Sequence, residues 1–323
     1  MADPNDFSQN EIIENLRDET QPIKPQHLHF FSDITSNDLE LVKKVWPDLS
    51  QERKASLIRN LEKLMEVDTL VSCDDFAFFA LEDQDPIVKS QAIHLLWECV
   101  DLKLADRFLQ ILRDDTDPEL TASAASGLGK FVLLGELEEI PETQARNILN
   151  TLIEKYLTSD KALVRQRILE SLGYSDNAQI NGFIADAIKQ PQKEWVLAAL
   201  FAISRSANEK WSKIVLEKLN DLDPDVQMEA IKAAGELEIA SAKETIIEIL
   251  ENSDPEEDIH LQAIWSLSMI GGNDVHKLFD KLLEMNESEE EADMLETALD
   301  NLELTSGFEE IDLFEDEDEE EEY

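Results

Sequence analysis

One pattern of small and apolar residues recurs along most of this chain, and it limits what the chain can fold into. The stretch Leu219–Glu238, LNDLDPDVQMEAIKAAGELE, shows the repeating unit. It predicts the end of one helix, a tight acidic turn and a second helix, with Asp223 as N-cap and Pro224 at the first helical position. One face of the second helix carries Val226, Ala230, Ala233 and Leu237. Such a face of mainly small residues predicts close packing against another helix.

Six copies of this second helix align on their first apolar residue. These six anchor residues are Val88, Leu120, Val164, Trp195, Val226 and Ile259, at separations of 32, 44, 31, 31 and 33 residues. Four residues after each anchor stand Ala92, Ala124, Ile168, Ala199, Ala230 and Ala263. Asp-Pro precedes four copies, at 85–86, 117–118, 223–224 and 254–255. A helical pattern with this period predicts an array of helix pairs.

The Asp-Pro turn, the Val-x-x-x-Ala-[Ile/Leu] second helix and its small-residue exit at Gly173 or Gly235 resemble the HEAT-repeat family. The match is to the short variety of about 30 residues that phycobilin lyase subunits also carry. The resemblance implies an all-α fold, an armadillo-like α-solenoid of antiparallel HEAT-like helix pairs with the second helices on its concave side. The resemblance to the family is plainest over 70–285. We predict that the solenoid itself covers 36–304. An insertion near 131–144 either lengthens a helix and a loop or marks a hinge.

Both ends of the chain differ from the array. Residues 1–35 are polar and contain three prolines, which predicts a flexible N-terminal arm. Within that arm, EIIENLRDE favours a short helix and LHFFSDI is apolar enough to dock on the body. At the other end, the segment 309–322 holds eleven carboxylates, which repel one another. Residues 305–323 are therefore predicted to form a disordered acidic tail.

The charge of the chain restricts its partners. It has 73 acidic and 28 basic residues and a formal net charge of −45. This field opposes broad contact with nucleic acids or anionic membranes and attracts basic molecules. We therefore expect protein partners, basic ones included, and no direct binding of nucleic acid or membrane. Because the sequence has neither a signal-peptide pattern nor a run of about 18 apolar residues, we expect a cytoplasmic protein.

No catalytic, cofactor or metal motif is recognisable. The sequence lacks a P-loop, a dinucleotide fingerprint, G-x-S-x-G and H-E-x-x-H. HEAT-like deoxyhypusine hydroxylases bind iron through His-Glu pairs, and none of the five histidines here is followed by Glu. Cys73 and Cys99 are interpreted as small buried side chains. Trp97, Trp195 and Trp265 are interpreted as core packing. We expect no enzymatic activity, no cofactor and no metal.

One region departs from the acidic background. From Lys155 to Lys218 the chain carries ten basic and seven acidic residues, a surplus of +3. We predict that this region receives an acidic segment, which is either a partner's or the chain's own tail. The candidate partner-binding residues are Arg165, Arg167, Arg205, Ile311, Leu313 and Phe314.

The favoured function is a non-enzymatic scaffold or adaptor that presents a curved helical surface to a protein partner. Two alternatives remain open from the sequence. One is a subunit of an enzyme like the phycobilin lyases, which is implied only by the resemblance. The other is an acidic chaperone or nucleic-acid mimic that captures basic proteins, and whose binding would fall steeply with salt. The sequence leaves the oligomeric state open.

Overall fold

A computed structural model describes residues 8–114, 116–252, 257–285, 288 and 291–304. Within these residues all regular secondary structure is helical. The chain divides into two compact units, unit 1 (Met1–Leu172) and unit 2 (Gly173–Tyr323). The all-α fold of successive helix pairs that the repeat pattern predicts is confirmed.

Unit 1 consists of nine described α-helices and two short 3₁₀ helices. They are α1 (Gln9–Arg17), a 3₁₀ helix (Pro25–Phe31), α2 (Ser36–Val45), a 3₁₀ helix (Trp46–Asp48), α3 (Gln51–Val67), α4 (Asp74–Ala80), α5 (Pro86–Leu95), α6 (Leu102–Asp114), α7 (Pro118–Glu136), α8 (Glu142–Thr158) and α9 (Ala162–Leu172). The second helices of the repeats pack in succession, α3 on α5, α5 on α7 and α7 on α9. The first helix α6 packs mainly on its own second helix, α7, whereas α8 packs on both α7 and α9.

Unit 2 repeats this arrangement. Its described helices are α10 (Ala178–Ala187), α11 (Lys193–Arg205), a 3₁₀ helix (Glu209–Trp211), α12 (Ser212–Lys218), α13 (Pro224–Glu236), a 3₁₀ helix (Ala240–Ala242), α14 (Lys243–Asn252), α15 (Glu257–Ile270), α16 (Asn273–Met285) and α17 (291–304). Here α11 packs on α13 and α13 on α15. In both units the second helices therefore form a closely packed row.

The Asp-Pro turns begin the second helices as the sequence predicts. In α5, Asp85 Oδ1 accepts a hydrogen bond from the backbone N–H of Ile87 at 2.8 Å. In α13, Asp223 Oδ1 accepts from the N–H of Asp225 at 3.1 Å. Each bond satisfies a donor that has no partner within its helix. The Asp-Pro pair at 254–255 lies outside the described residues.

The small residues of the pattern lie in the core. Ala92, Ala124, Ala199, Ala230 and Ala263 have no exposed surface. Their short side chains let neighbouring second helices approach closely enough for side chain-to-backbone bonds across the interface. The Ser171 hydroxyl on α9 donates to the Ala125 carbonyl on α7 at 2.8 Å.

None of the three tryptophans predicted to pack in the core is buried, and Trp265 on α15 is partly exposed. Trp97 is 73% exposed, because α5 ends at Leu95 and leaves this residue in the turn beyond the helix. Trp195 is partly exposed, and its neighbour Val196 is buried instead.

The N-terminal segment differs from the predicted flexible arm, because its described part is folded onto the body. Ser8 and Glu11 form a capping box that starts α1. Farther along, Leu16 and Phe31 are buried. The predicted short helix and the docking of the apolar stretch are both present.

Arg53 on α3 holds this segment in place. Its Nε donates to the Leu16 carbonyl at 3.0 Å, and its NH1 to the Gln21 carbonyl at 2.8 Å. A third bond joins NH2 to the Asn15 carbonyl. The buried guanidinium thus satisfies three carbonyls near the end of α1, which no local sequence pattern announces.

The insertion near 131–144 lengthens a helix. α7 continues to Glu136, and α8 begins at Glu142 after a short turn. The boundary between the two units falls at 172–173 and not at the insertion. The predicted acidic tail, 305–323, lies outside the described residues.

Candidate functional site

One face of the second helices in unit 2 remains partly exposed. On α13 it carries Glu229, Lys232 and Glu236, which follow one another at i, i+3 and i+7, with buried Ala230 and Ala233 on the packed side. We call this surface the second-helix face of unit 2. Its members are Tyr174, Phe201, Arg205, Glu229, Lys232 and Glu236.

Arg205 is the residue that joins the two helices at this face. Its NH1 lies 3.4 Å from Glu236 Oε1, with both side chains 27% exposed. Its guanidinium also lies 5.3 Å from the ring centre of Phe201 and 5.7 Å from that of Tyr174. Contacts with two rings and one carboxylate restrict the arginine to a narrow range of conformations.

Phe201 lies beside two cations. The Lys232 ammonium is 5.2 Å from its ring centre, at nearly the same distance as the Arg205 guanidinium. Lys232 and Phe201 hold the same position in consecutive repeats, as do Glu236 and Arg205, at a separation of 31 positions in the sequence. The repeat geometry therefore brings these side chains into contact, one helix to the next.

Glu229 has an unusual environment within this face. Burial raises the pKa of its carboxyl above the usual range, although Lys232 and Arg205 oppose part of that shift. Its Oε1 atom is buried and accepts no hydrogen bond from the described residues, and the Nε of Arg205 is likewise buried without an acceptor there. A buried polar atom without a partner costs about 1–3 kcal/mol. Buried polar atoms of this kind are candidates for hydrogen bonding to a ligand.

The comparisons with known proteins bear on the fold of the chain. Residues 212–303 match the family of HEAT repeats. This part of the chain, within unit 2, consists of HEAT repeats. No curated protein sequence matches it significantly.

Several solved structures resemble this chain at low sequence identity. The complex of CpcE and CpcF of phycocyanin lyase from Nostoc sp. PCC7120 has a TM-score of 0.52 and 15% identity, over 88% of this chain and 97% of that one. YibA of E. coli has a TM-score of 0.44 and 13% identity, over 94% and 99%. The karyopherin Kap121p bound to Nup53p has a TM-score of 0.45 and 12% identity, over 94% of this chain and 40% of that one. The first likeness supports the solenoid fold, and none of them assigns an activity.

The predicted partner-binding arginines lie in different surroundings. In unit 1, the Arg165 guanidinium stacks 4.8 Å from the ring centre of Tyr156 on α8. Arg167 projects from another side of α9 and donates to both carboxylate oxygens of Glu170, at 2.7 and 2.6 Å. In unit 2, Arg205 belongs to the second-helix face. Their role in binding an acidic segment remains a prediction, and Ile311, Leu313 and Phe314 lie outside the described residues.

The positive surplus counted along the sequence is reduced in the folded unit 2. Lys193 Nζ lies 2.9 Å from Asp223 and also contacts Asp225, and Lys218 lies 2.8 Å from Asp221. These acids come from beyond the counted segment, in the turn and first residues of the next second helix. Local counting therefore overstates the positive field of this region.

Most of the second-helix face has no motif of its own in the sequence. Glu229 and Lys232 belong to a helical pattern, and Phe201 and Tyr174 belong to no recognisable motif. The alignment of the copies does carry a signal, because Phe201 and Lys232 both stand six residues after their anchors, and Arg205 and Glu236 both stand ten residues after them. The burial of the Glu229 carboxylate has no such signal.

The remaining reactive groups are held in apolar surroundings. Burial raises the pKa of the Cys73 thiol to about 12 and also raises the pKa of Cys99, which leaves both as poor nucleophiles at neutral pH. Across the described parts of the chain, no group of His, Cys, Asp and Glu is arranged to hold a metal ion. Among the described helices, none combines the length and apolar character needed to span a membrane.

Proposed function

We propose that this protein is a non-enzymatic, cytoplasmic scaffold that binds a protein partner carrying basic groups on the second-helix face of unit 2. The observation that carries the proposal is the buried Oε1 of Glu229, which lacks a donor among the described residues. A lysine or arginine of the partner would donate to this oxygen. A charge-assisted bond of that kind would offset the desolvation of the carboxylate.

The aromatic side chains support the same role. Phe201 and Tyr174 present partly exposed rings that the Arg205 guanidinium already contacts. Rings with few rotatable bonds, restrained before the partner arrives, lose little conformational entropy on binding. Aromatic and arginine side chains of this kind contribute most of the binding energy in many protein interfaces.

The net charge of −45 suits a basic partner as well. Opposite charges raise the rate at which two proteins meet, and salt weakens that effect. A scaffold with a shaped site holds its partner in high salt, whereas a purely electrostatic chaperone releases it. Salt therefore separates the proposed function from the acidic-chaperone alternative.

The experiment is partner capture from native lysate with the full-length chain at low salt and at about 0.5 M salt, where the Debye length is only about 4 Å. The test variant is Phe201→Ala. The control is Glu217→Ala on α12, where the carboxylate is 65% exposed and only 3.9 Å from Lys213. We expect a discrete partner that survives 0.5 M salt with the wild type and the control and is lost with Phe201→Ala. Retention of the partner by the wild type, the control and Phe201→Ala would place the binding site elsewhere. Release of all captured proteins at 0.5 M salt would favour the acidic-chaperone alternative.

A further inference from the structure

The N-terminal segment of unit 1 forms a groove with α3. This groove encloses about 460 Å³ and lies open to solvent along one side. Ile23, Pro25 and Leu28 line it from the N-terminal segment, and Leu64 lines it from α3. A volume of this size is within the range of protein sites that bind small molecules or short peptide segments.

The walls of the groove are fixed before anything binds. The Arg53 guanidinium ties the end of α1 to α3 through three carbonyls, as described above. Asn15 Oδ1 then accepts from the backbone N–H of Lys24 at 3.0 Å and lies 3.1 Å from His27 Nδ1. These bonds hold the residues that flank Ile23 and Leu28. Little ordering of the groove is therefore needed on binding.

The charge of the groove is opposite to that of the protein. Although the chain has 73 acidic residues, none lines this groove. The titratable side chains in its lining are His29 and Lys63. Neither Lys63 nor nearby Lys24 forms an ion pair within the described residues. Glu62 on the same helix lies 3.6 Å from His94 Nδ1. Among the described residues, Lys63 is therefore an exposed cation without an ion-pair partner at the edge of an apolar groove.

The α3 wall continues beyond the groove. Asn60, Lys63, Leu64 and Val67 follow one another at i, i+3, i+4 and i+7, so they lie along one face of the helix. Val67 is 81% exposed, and Leu70 in the following turn is 89% exposed. The apolar surface therefore extends at least one helical turn past Leu64.

We propose that this groove binds a short acidic peptide of a protein partner. The apolar side chains of the peptide would enter between the 3₁₀ helix Pro25–Phe31 and α3. A carboxylate of the peptide, beside those side chains, would pair with Lys63. The apolar walls supply the affinity, and the isolated cation supplies the preference for an acidic sequence. The groove would be a second binding site, with a charge preference opposite to that of the second-helix face of unit 2.

The probe is a fluorescent peptide with the sequence SGFEEIDLFED, which is that of residues 306–316 and places apolar residues between carboxylates. Its binding to the full-length chain is followed by fluorescence anisotropy. We expect Lys63→Glu to weaken binding at least fivefold. Lys103→Glu, at another exposed lysine of unit 1 without an ion pair, is the control and should leave binding unchanged. A peptide with serine in place of Ile311, Leu313 and Phe314 should bind at least fivefold more weakly. Circular dichroism confirms that both protein variants fold.

A photo-crosslinking residue at Val67 locates the bound peptide. We expect crosslinks to the added peptide. Absence of these crosslinks would overturn the proposal, as would crosslinks only to the chain's own residues 305–323 or only to the repeat helices of a second copy. Equal weakening by Lys63→Glu and Lys103→Glu, or equal binding of the serine peptide, would also overturn it.

Discussion

Gly235 on α13 lies so close to α15 that a Cβ atom added to it would stand 2.7 Å from the Cα of Ser266. Because the obstructing atom belongs to the backbone, no side-chain rotation can relieve the overlap. The second helices of unit 2 therefore pack at a separation that only glycine permits here.

Gly235→Ala should destabilise the protein by about 1–3 kcal/mol, since the two helices must move apart. Gly182 on α10 provides the control, because a Cβ there would meet nothing within 4 Å. Gly182→Ala should stabilise the protein by about 0.5–1 kcal/mol through helix propensity. Urea unfolding measures both values. Effects of the same sign would contradict the packing that we describe.

The three hydrogen bonds of Arg53 predict that its removal will loosen the N-terminal segment. Arg53→Ala would remove the donors to the carbonyls of Asn15 and Leu16 in buried hydrogen bonds, which should cost roughly 3 kcal/mol. Amide exchange over 9–31 should become faster, as measured by hydrogen–deuterium exchange with mass spectrometry. Arg59→Ala removes an exposed arginine that pairs with Glu52 and is the matched control. Unchanged exchange in Arg53→Ala would show that the segment is held by other contacts.

The N-cap of α13 predicts a dependence on pH. The hydrogen bond from Lys193, together with backbone N–H groups at the helix start, lowers the pKa of Asp223. Its contribution to stability is therefore complete above the unfolded pKa of about 3.9 and is lost as the pH falls through the lower folded pKa.

Asp223→Asn keeps a capping oxygen but removes this titration. The difference in melting temperature between the wild type and Asp223→Asn should be largest near pH 6 and should shrink towards pH 3. Thermal melts at intermediate pH values follow the change. All other carboxylates titrate in both proteins, so a difference that does not vary with pH would rule out the proposed linkage.

Glu229 predicts the opposite behaviour. Because burial raises the pKa of this carboxyl, the folded state is penalised once the pH exceeds the unfolded pKa of about 4.3. The penalty reaches its full size above the folded pKa. Glu229→Gln should therefore raise the melting temperature at pH 7 and leave it nearly unchanged at pH 4. A lower melting temperature at pH 7 would mean that the carboxylate is stabilised by the protein itself.

The repeating part of the fold could be predicted from the sequence because its determinants are local. Asp85 and Asp223 cap the helices that their Asp-Pro turns announce, and Ala92 and Ala230 are buried as their period requires. These features depend on neighbours within one or two helical turns. The same local features predict the helices of the array from 36 onward.

The folded N-terminal segment and the second-helix face depend on contacts between distant residues. Arg53 bonds to carbonyls more than thirty residues away, so a polar and proline-containing stretch appears unstructured when read by itself. The surplus of positive charge counted from the sequence overstates the field near Arg205 for the same reason, because Glu236 in the next repeat pairs with Arg205. The orphaned oxygen of Glu229 becomes visible only when burial is known.

The most direct test is the affinity of the captured partner for Glu229→Gln, measured by isothermal titration calorimetry at pH 7 beside the wild type and Glu217→Gln. Glutamine keeps the size of the side chain and loses its charge. We predict at least tenfold weaker binding for Glu229→Gln, a loss of about 1.4 kcal/mol or more, with Glu217→Gln unchanged and the Glu229→Gln protein no less stable than the wild type. Wild-type affinity in Glu229→Gln would contradict the account, because the carboxylate would then have no part in binding.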